Sequence, residues 1–151
     1  MPATHEEWIP ALHELLASQP LAVLSTQDRG QPHASLVAFA ATGDLREVLF
    51  ATPRATRKYA YLTSDNRAAL LVDNRSNTPA DFHSATAATV KGRVDEIPHE
   101  DKDRFLGPYL ARHPHLTEFV RAPSCALMRL RVESYSIVRR FQEVVNIPVP
   151  P

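Results

Sequence analysis

Apolar residues recur at helical spacing near the start of the chain and then alternate with polar ones along most of its remaining length. Trp8, Ile9, Leu12, Leu15 and Leu16 stand one, three or four residues apart, which gathers them on one face of an amphipathic helix. Ahead of them, Thr4-His5-Glu6-Glu7 has the form of a capping box, in which hydroxyl and carboxylate each satisfy a backbone amide of the other. The helix is expected over about residues 4–18, ending near Ser18-Gln19-Pro20.

Strand-like segments then come in close order. They cover residues 21–26, 32–40 and 47–51, separated by Asp28-Arg29-Gly30 and Thr42-Gly43-Asp44, residue types that suit tight turns. A short helix is expected from Pro53 to about Thr63, and a buried strand over residues 68–72. Residues 73–84 are polar and without period. Ala88, Val90 and Val94 then alternate with Thr89, Lys91, Arg93 and Asp95, the pattern of a half-buried antiparallel strand. A second amphipathic helix is expected over about residues 100–112. The last alternation runs through Ala126, Met128, Leu130 and Val132, changes phase near Ser134, and continues through Tyr135, Ile137 and Phe141. Six or seven strands with few crossover helices predict a mainly β (α+β) chain: an antiparallel barrel with flanking helices.

Composition narrows the picture. The chain has 151 residues, with no repeat or linker, which predicts a single domain with an extended tail over about residues 142–151. Seventeen Lys plus Arg balance 17 Asp plus Glu, so neither nucleic acid nor a membrane surface is an expected partner. The single cysteine, Cys125, excludes an internal disulfide and suits a reducing compartment. No apolar run is long enough to cross a membrane, and Glu6, Glu7 and Trp8 break any secretory signal. A soluble cytoplasmic protein is expected. With only four glycines, side chains rather than a glycine-rich loop would have to cradle any phosphate.

The stretch that carries chemistry is Phe50-Ala51-Thr52-Pro53-Arg54-Ala55-Thr56-Arg57-Lys58. Thr52 suits an N-cap and Pro53 the first helical position. A helix N-terminus presents free amides and partial positive charge, which favour acidic neighbours. Here Arg54, Arg57 and Lys58 would share one face and no carboxylate is present. A phosphate among them would satisfy amides, hydroxyls and cations together. A solvated basic helix face is the alternative.

Gly30-Gln31-Pro32, Phe50-Ala51-Thr52, Thr56-Arg57-Lys58, Asn66-Arg67-Ala68-Ala69-Leu70-Leu71 and Gly92-Arg93-Val94 occur in this order across residues 20–140. In that order and spacing the chain resembles the pyridoxamine 5′-phosphate oxidase superfamily of FMN-binding split β-barrels. The resemblance implies FMN as cofactor, with its phosphate held by Thr52, Thr56, Arg57 and Lys58, and with Arg54 beside them. It implies that the main chain of Ser35, Leu36, Val37 and Ala38 follows the ring edge. The loop from Asn74 to Asn77 and the strand near residues 87–89 would border the ring, partly from the second subunit of a homodimer.

Departures from the family pattern bear on the reaction. Where Ser35 stands, the family has an arginine. Where Ala40 stands, the namesake has a lysine for substrate phosphate. Tyr109 and Thr117 match substrate-ligand positions, but His113 replaces the arginine between them, and the namesake's C-terminal arginine–histidine segment is missing. True pyridoxamine-phosphate oxidation is therefore not expected. The expected function is an FMN-dependent oxidoreductase acting on a small-molecule substrate or redox partner. A non-catalytic FMN carrier or sensor, and a haem- or deazaflavin-binding relative, remain open; residues 109–115 faintly resemble haem-utilisation relatives.

Several residues have plainer readings. Asp81-Phe82-His83 reads as a surface loop, placed where a lid could lie over a flavin. His113-Pro114-His115 reads as a helix-end turn, with no metal expected. Cys125 reads as a buried small hydrophobe and Trp8 as a core or interface anchor.

Overall fold

The structure, a computed structural model, describes residues 5–140 and 143–151. Thr4 of the expected capping box and Phe141 on the last apolar face lie outside the described residues. In chain order the elements are α1 (His5–Ser18), β1 (Leu21–Asp28), β2 (Gln31–Ala41), β3 (Glu47–Pro53), α2 (Arg57–Ser64), β4 (Arg67–Asp73), α3 (Asp81–Ser84), β5 (Thr86–Glu96), α4 (Lys102–Arg112), α5 (Thr117–Arg121), β6 (Cys125–Arg139) and β7 (Glu143–Pro148). None of these helices is long and apolar enough to cross a membrane.

The strands are antiparallel in the order β3-β2-β1-β4-β5-β6-β7, and β3 also pairs with β6. Six strands thus close into a barrel, with β7 added to the outside edge of β6. The long β6 serves both partners. Its first half pairs with β3, from Pro53↔Cys125 to Glu47↔Arg131, and its second half pairs with β7, from Ser134↔Pro148 to Arg139↔Glu143.

A bulge marks the change. Lys91 lies opposite Ser134 while its neighbour Gly92 lies opposite Val132, so Glu133 is the extra residue. One inserted residue inverts the alternation. Ala126, Met128, Leu130 and Val132 are buried before it, and Tyr135 and Ile137 after it. This is the phase change visible in the sequence. Gly92 is required there, because a Cβ would collide with the Arg131 carbonyl oxygen.

The barrel interior holds Leu24, Phe39, Phe50, Leu70, Val90, Leu130 and Ile137, all fully buried, and α1 covers one opening with Trp8, Leu12, Leu15 and Leu16. Burial of each such side chain contributes about 1.5–3 kcal/mol. A second cluster lies outside the barrel, where Ala40, Leu49, Ala51 and Leu127 pack against Leu106, Tyr109 and Val120 of α4 and α5. Arg112 locks α4 onto the end of α1. It donates to the carbonyls of Leu16 (3.0 Å), Ala17 (3.3 Å) and Gln19 (2.7 Å), and to Phe39 (3.2 Å) of β2.

Two elements differ from the sequence expectation. The helix expected from Pro53 begins instead at Arg57, with Thr56 as its N-cap. Pairing with β6 holds β3 extended through Pro53, and a proline is tolerated at a strand's end where no ladder amide is needed. Thr52, expected as the cap, is fully buried on the barrel side of β3. Residues 143–148, expected within an extended tail, form β7.

Candidate functional site

The barrel is split between β2 and β3. The two strands pair only over Phe39↔Phe50, Ala40↔Leu49 and Ala41↔Val48. Toward its start, β2 is paired on the β1 side alone, from Leu21↔Ala38 to Asp28↔Gln31. The edge along Ser35, Leu36 and Val37 therefore has no strand partner among the described residues, and its backbone groups face outward for an external partner. Leu36 is 67% exposed, whereas Val37 faces the core. The Ala38 carbonyl is already taken, by the Tyr109 hydroxyl at 3.0 Å.

Helix α2 bridges this split. Its Tyr61 ring meets His33 of β2 edge-on, with centroids 5.5 Å apart. Its N-terminus is built by two threonines. Thr56 Oγ1 accepts from the Tyr59 amide at 3.3 Å and lies 2.9 Å from Thr52 Oγ1. Both hydroxyls are also within hydrogen-bond reach of the Pro53 carbonyl, at 2.9 and 3.1 Å. Their hydrogen-bonding capacity is thus largely used in setting where the helix starts.

The groups left over are cationic or donating. The amides of Arg57 and Lys58 find no acceptor among the described residues, and neither side chain has an ion-pair partner among them. Arg57 is exposed and Lys58 half-buried. On β2, the Ser35 Oγ is buried without a hydrogen-bond partner, an uncommon state for a buried hydroxyl. Free amides at a helix start with two unpaired cations beside them have the chemistry to hold an anion.

Arg54 is not part of this group, contrary to the shared helix face expected from its spacing. It precedes α2 and is clasped to Glu96 of β5 (Nη2 to Oε2, 2.6 Å) and to the Pro123 carbonyl (2.7 Å). Tyr59 donates to the same Glu96 at 2.7 Å. The Arg54 guanidinium, followed by the Tyr59 hydroxyl, holds the Glu96 carboxyl below its ordinary value despite partial burial. Sequence periodicity gives no sign of this clasp, because Glu96 lies 42 residues away.

Asn74 and Asn77 lie elsewhere. Helix α2 is tied to the far end of β1 by Gln27 Nε2 to Asp65 (2.6 Å), while β4 runs back along β1 through Ser25↔Ala69 and Val23↔Leu71. Continuing that register brings Asp73 to the Leu21 end, about 20 Å away at about 3.3 Å per residue. One chain therefore groups Thr52, Thr56, Arg57 and Lys58 at one end and holds Asn74 and Asn77 at the other, with Ser35, opposite Leu24, between them.

The loop at that other end is ordered rather than irregular. Asp81 accepts from the amides of Ser76 (2.8 Å), Asn77 (2.7 Å) and Thr78 (3.2 Å), and these bonds, led by that from Ser76, lower its pKa. Asn77 adopts the left-handed conformation, φ 60°, which asparagine tolerates. Asn74 Oδ1 accepts from the Thr86 amide at 2.7 Å. Asn77, Phe82, Leu71 and Ala87 border a cavity of about 590 Å³, whose Val138 was not among the expected site residues.

The positions matching substrate ligands are internally committed. Tyr109 is buried, with burial as the first cause pushing its hydroxyl pKa up. His113 is 2% exposed, with Nε2 2.7 Å from the Phe39 carbonyl. Thr117 donates to the Pro114 carbonyl at 2.7 Å. Ala40 sits in the apolar cluster beneath Tyr109. Among the described residues no three His, Cys, Asp or Glu side chains converge on a metal position. Cys125 is buried, with a thiol pKa raised chiefly by desolvation, and Trp8 is 2% exposed.

Solved structures share this architecture. A protein from Clostridium acetobutylicum related to general stress protein 26, of the pyridoxinephosphate oxidase family, aligns at 14% identity and TM-score 0.76 over 97% of each chain. A FAD-binding protein from Mesorhizobium loti aligns at 15% identity and TM-score 0.68, over 85% of this chain and 90% of that one. A heme binding protein from Mycobacterium smegmatis aligns at 16% identity and TM-score 0.78, over 89% of this chain and 55% of that one. No curated protein sequence matches. At these identities the likeness is one of fold. The sequence itself matches the family model for pyridoxamine 5′-phosphate oxidase over residues 9–139, a span that takes in the barrel, the split and the start of α2. The chain belongs to the pyridoxamine 5′-phosphate oxidase family.

Proposed function

We propose that this chain is an FMN-binding flavoprotein that works as an oxidoreductase on a small molecule, in a pair of identical subunits. The observation that carries the reading is the N-terminus of α2, where two free amides lie beside the unpaired Arg57 and Lys58. Such a site suits a phosphate monoester. The unpartnered Ser35 hydroxyl and the free edge of β2 are consistent with the same ligand extending along the split.

When bound, FMN would supply hydride or electron transfer at its ring. Arg57, Lys58 and their amides would hold the phosphate. Thr52 and Thr56 would act by fixing where the helix begins, and the β2 main chain would hydrogen-bond the ring edge. The pairing of subunits brings the Asn74–Asn77 loop of a second copy toward a site that one chain leaves open. No side chain of this chain is assigned as acid or base.

The substrate is not pyridoxamine phosphate in this reading. Ala40 and Tyr109 fill the place of the namesake's substrate-phosphate grip with apolar packing, and a buried apolar wall excludes a phosphate. Within residues 109–115, a haem ligand at His113 is likewise disfavoured, because its Nε2 lies 2.7 Å from the Phe39 carbonyl. Titration of flavin-free protein with FMN tests the reading. Arg57→Ala together with Lys58→Ala should weaken FMN binding by about a hundredfold or more, since each charged hydrogen bond contributes about 1.5–3 kcal/mol. Unchanged affinity with intact fold would overturn the placement.

A further inference from the structure

The cavity of about 590 Å³ at the Asn74 end of the barrel has the size of a small-molecule site. Its floor is the outer face of the sheet. Asp73, Ala87 and Val138 stand side by side in register on β4, β5 and β6, and Leu71, two residues before Asp73, shares their face. Arg139, next along β6, points the other way, onto Trp8. Phe82 of α3, 62% exposed, adds an aromatic wall. A flat floor of small apolar side chains beside an aromatic wall suits a planar ring.

The charged side chains on the lining are Asp73, Arg75 and Asp81, and each is committed within the loop. Arg75 Nε lies 3.0 Å from Asp73 Oδ2. Both Asp81 oxygens are turned into the loop, where they accept from the amides of Ser76, Asn77 and Thr78 and from the Ser76 hydroxyl. An anion would meet no unpaired cation there, and a cation would meet no free carboxylate oxygen. Burying either charge against Leu71, Ala87 and Val138 is costly. The Asn77 side-chain amide, in contrast, makes no hydrogen bond among the described residues, so it can serve a carbonyl or hydroxyl oxygen.

We propose that this cavity binds an uncharged aromatic ring bearing one carbonyl or hydroxyl oxygen, with the ring on Leu71, Ala87 and Val138 beside Phe82 and the oxygen on Asn77. That such a ring is the substrate class of the flavoprotein rests on the FMN reading, in which this loop of one copy approaches the split of the other. That it binds does not.

Calorimetric titration with 2-naphthalenemethanol at neutral pH, using both flavin-free and FMN-loaded protein, tests the proposal. Saturable binding is expected to both forms. The charged analogues 2-naphthoate and 2-naphthylmethylammonium should each bind about tenfold or more weaker, since neither finds a free counter-charge. Ala87→Leu, which fills the floor, should weaken the alcohol by about tenfold or more, and so should Phe82→Ala on an exposed side chain. No saturable binding, equal affinity of the alcohol and either charged analogue, unchanged affinity in both variants, or displacement of the alcohol by FMN would overturn the site. Failure to bind FMN, with binding of the alcohol still dependent on Ala87 and Phe82, would instead contradict the FMN reading and leave this site standing.

Discussion

Arg54 and Arg57 stand three residues apart with the same side chain, and the structure gives them different work. Arg54 is held by Glu96 and Pro123, while Arg57 has neither partner. A charge already balanced inside the fold contributes stability, whereas a free one beside open amides is available for a ligand. The Glu96 clasp should therefore show itself in stability rather than in flavin affinity. Because the folded Glu96 has a lowered pKa, its contribution is fully present above the unfolded value near 4.5 and is lost as pH falls through the lower folded value. Glu96→Gln should cost about 1 kcal/mol at neutral pH, a modest figure because Arg54 is partly solvated. Chemical denaturation across pH checks this: the gap between wild type and variant should close below pH 4.5. A gap independent of pH would assign the effect to packing. At Gly92, replacement by Ala drives a methyl into the Arg131 carbonyl and should destabilise by about 3 kcal/mol, visible as a lowered denaturation midpoint.

The elements were legible in the sequence wherever a side-chain period was long and clean. The α1 stripe, the alternation of β5 and the phase change in β6 all correspond to what is buried. The start of α2 was not legible, because Thr52 and Thr56 offer the same capping chemistry four residues apart. Only pairing of β3 with β6, a contact across more than 70 residues of chain, decides between them. The strand β7 was hidden for a similar reason: Val144, Asn146 and Pro148 face outward, leaving too little alternation to read. Arg57 and Lys58 stand out in the sequence as phosphate candidates because their chemistry is local, and the FMN titration is their test. The Glu96 clasp and the placement of the Arg139 guanidinium over the Trp8 ring, 4.0 Å from its centroid, were not legible, since both join distant segments. Among the helices, Arg112 invites a test. It satisfies carbonyls at the end of α1 that no other described side chain reaches. Arg112→Ala should remove about 2–3 kcal/mol and lower the melting temperature by about 5–10 °C, as differential scanning calorimetry would show. A shift within error would mean that water replaces the guanidinium freely.

The outer face of the barrel carries a row that runs in register across strands: Leu36, Val23, Leu71, Thr89, Ser136 and Asn146. Its β2–β1–β4 end is apolar, and Leu36 and Leu71 are 67% and 38% exposed. An apolar sheet face beside an open strand edge suits a second copy of the chain. Sedimentation analysis should find a dimer, and Leu36→Glu with Leu71→Glu should give a folded monomer whose FMN affinity falls with the dimer. A wild-type monomer that retains full FMN affinity would contradict the shared site.

Whether FMN is the molecule at the split is decided first by the absorption spectrum of the purified protein, with mass analysis of whatever heat releases. Flavin bands and a released compound with the mass of FMN are expected, or uptake of added FMN by protein isolated without it. A colourless protein that takes up no added FMN would contradict the FMN reading.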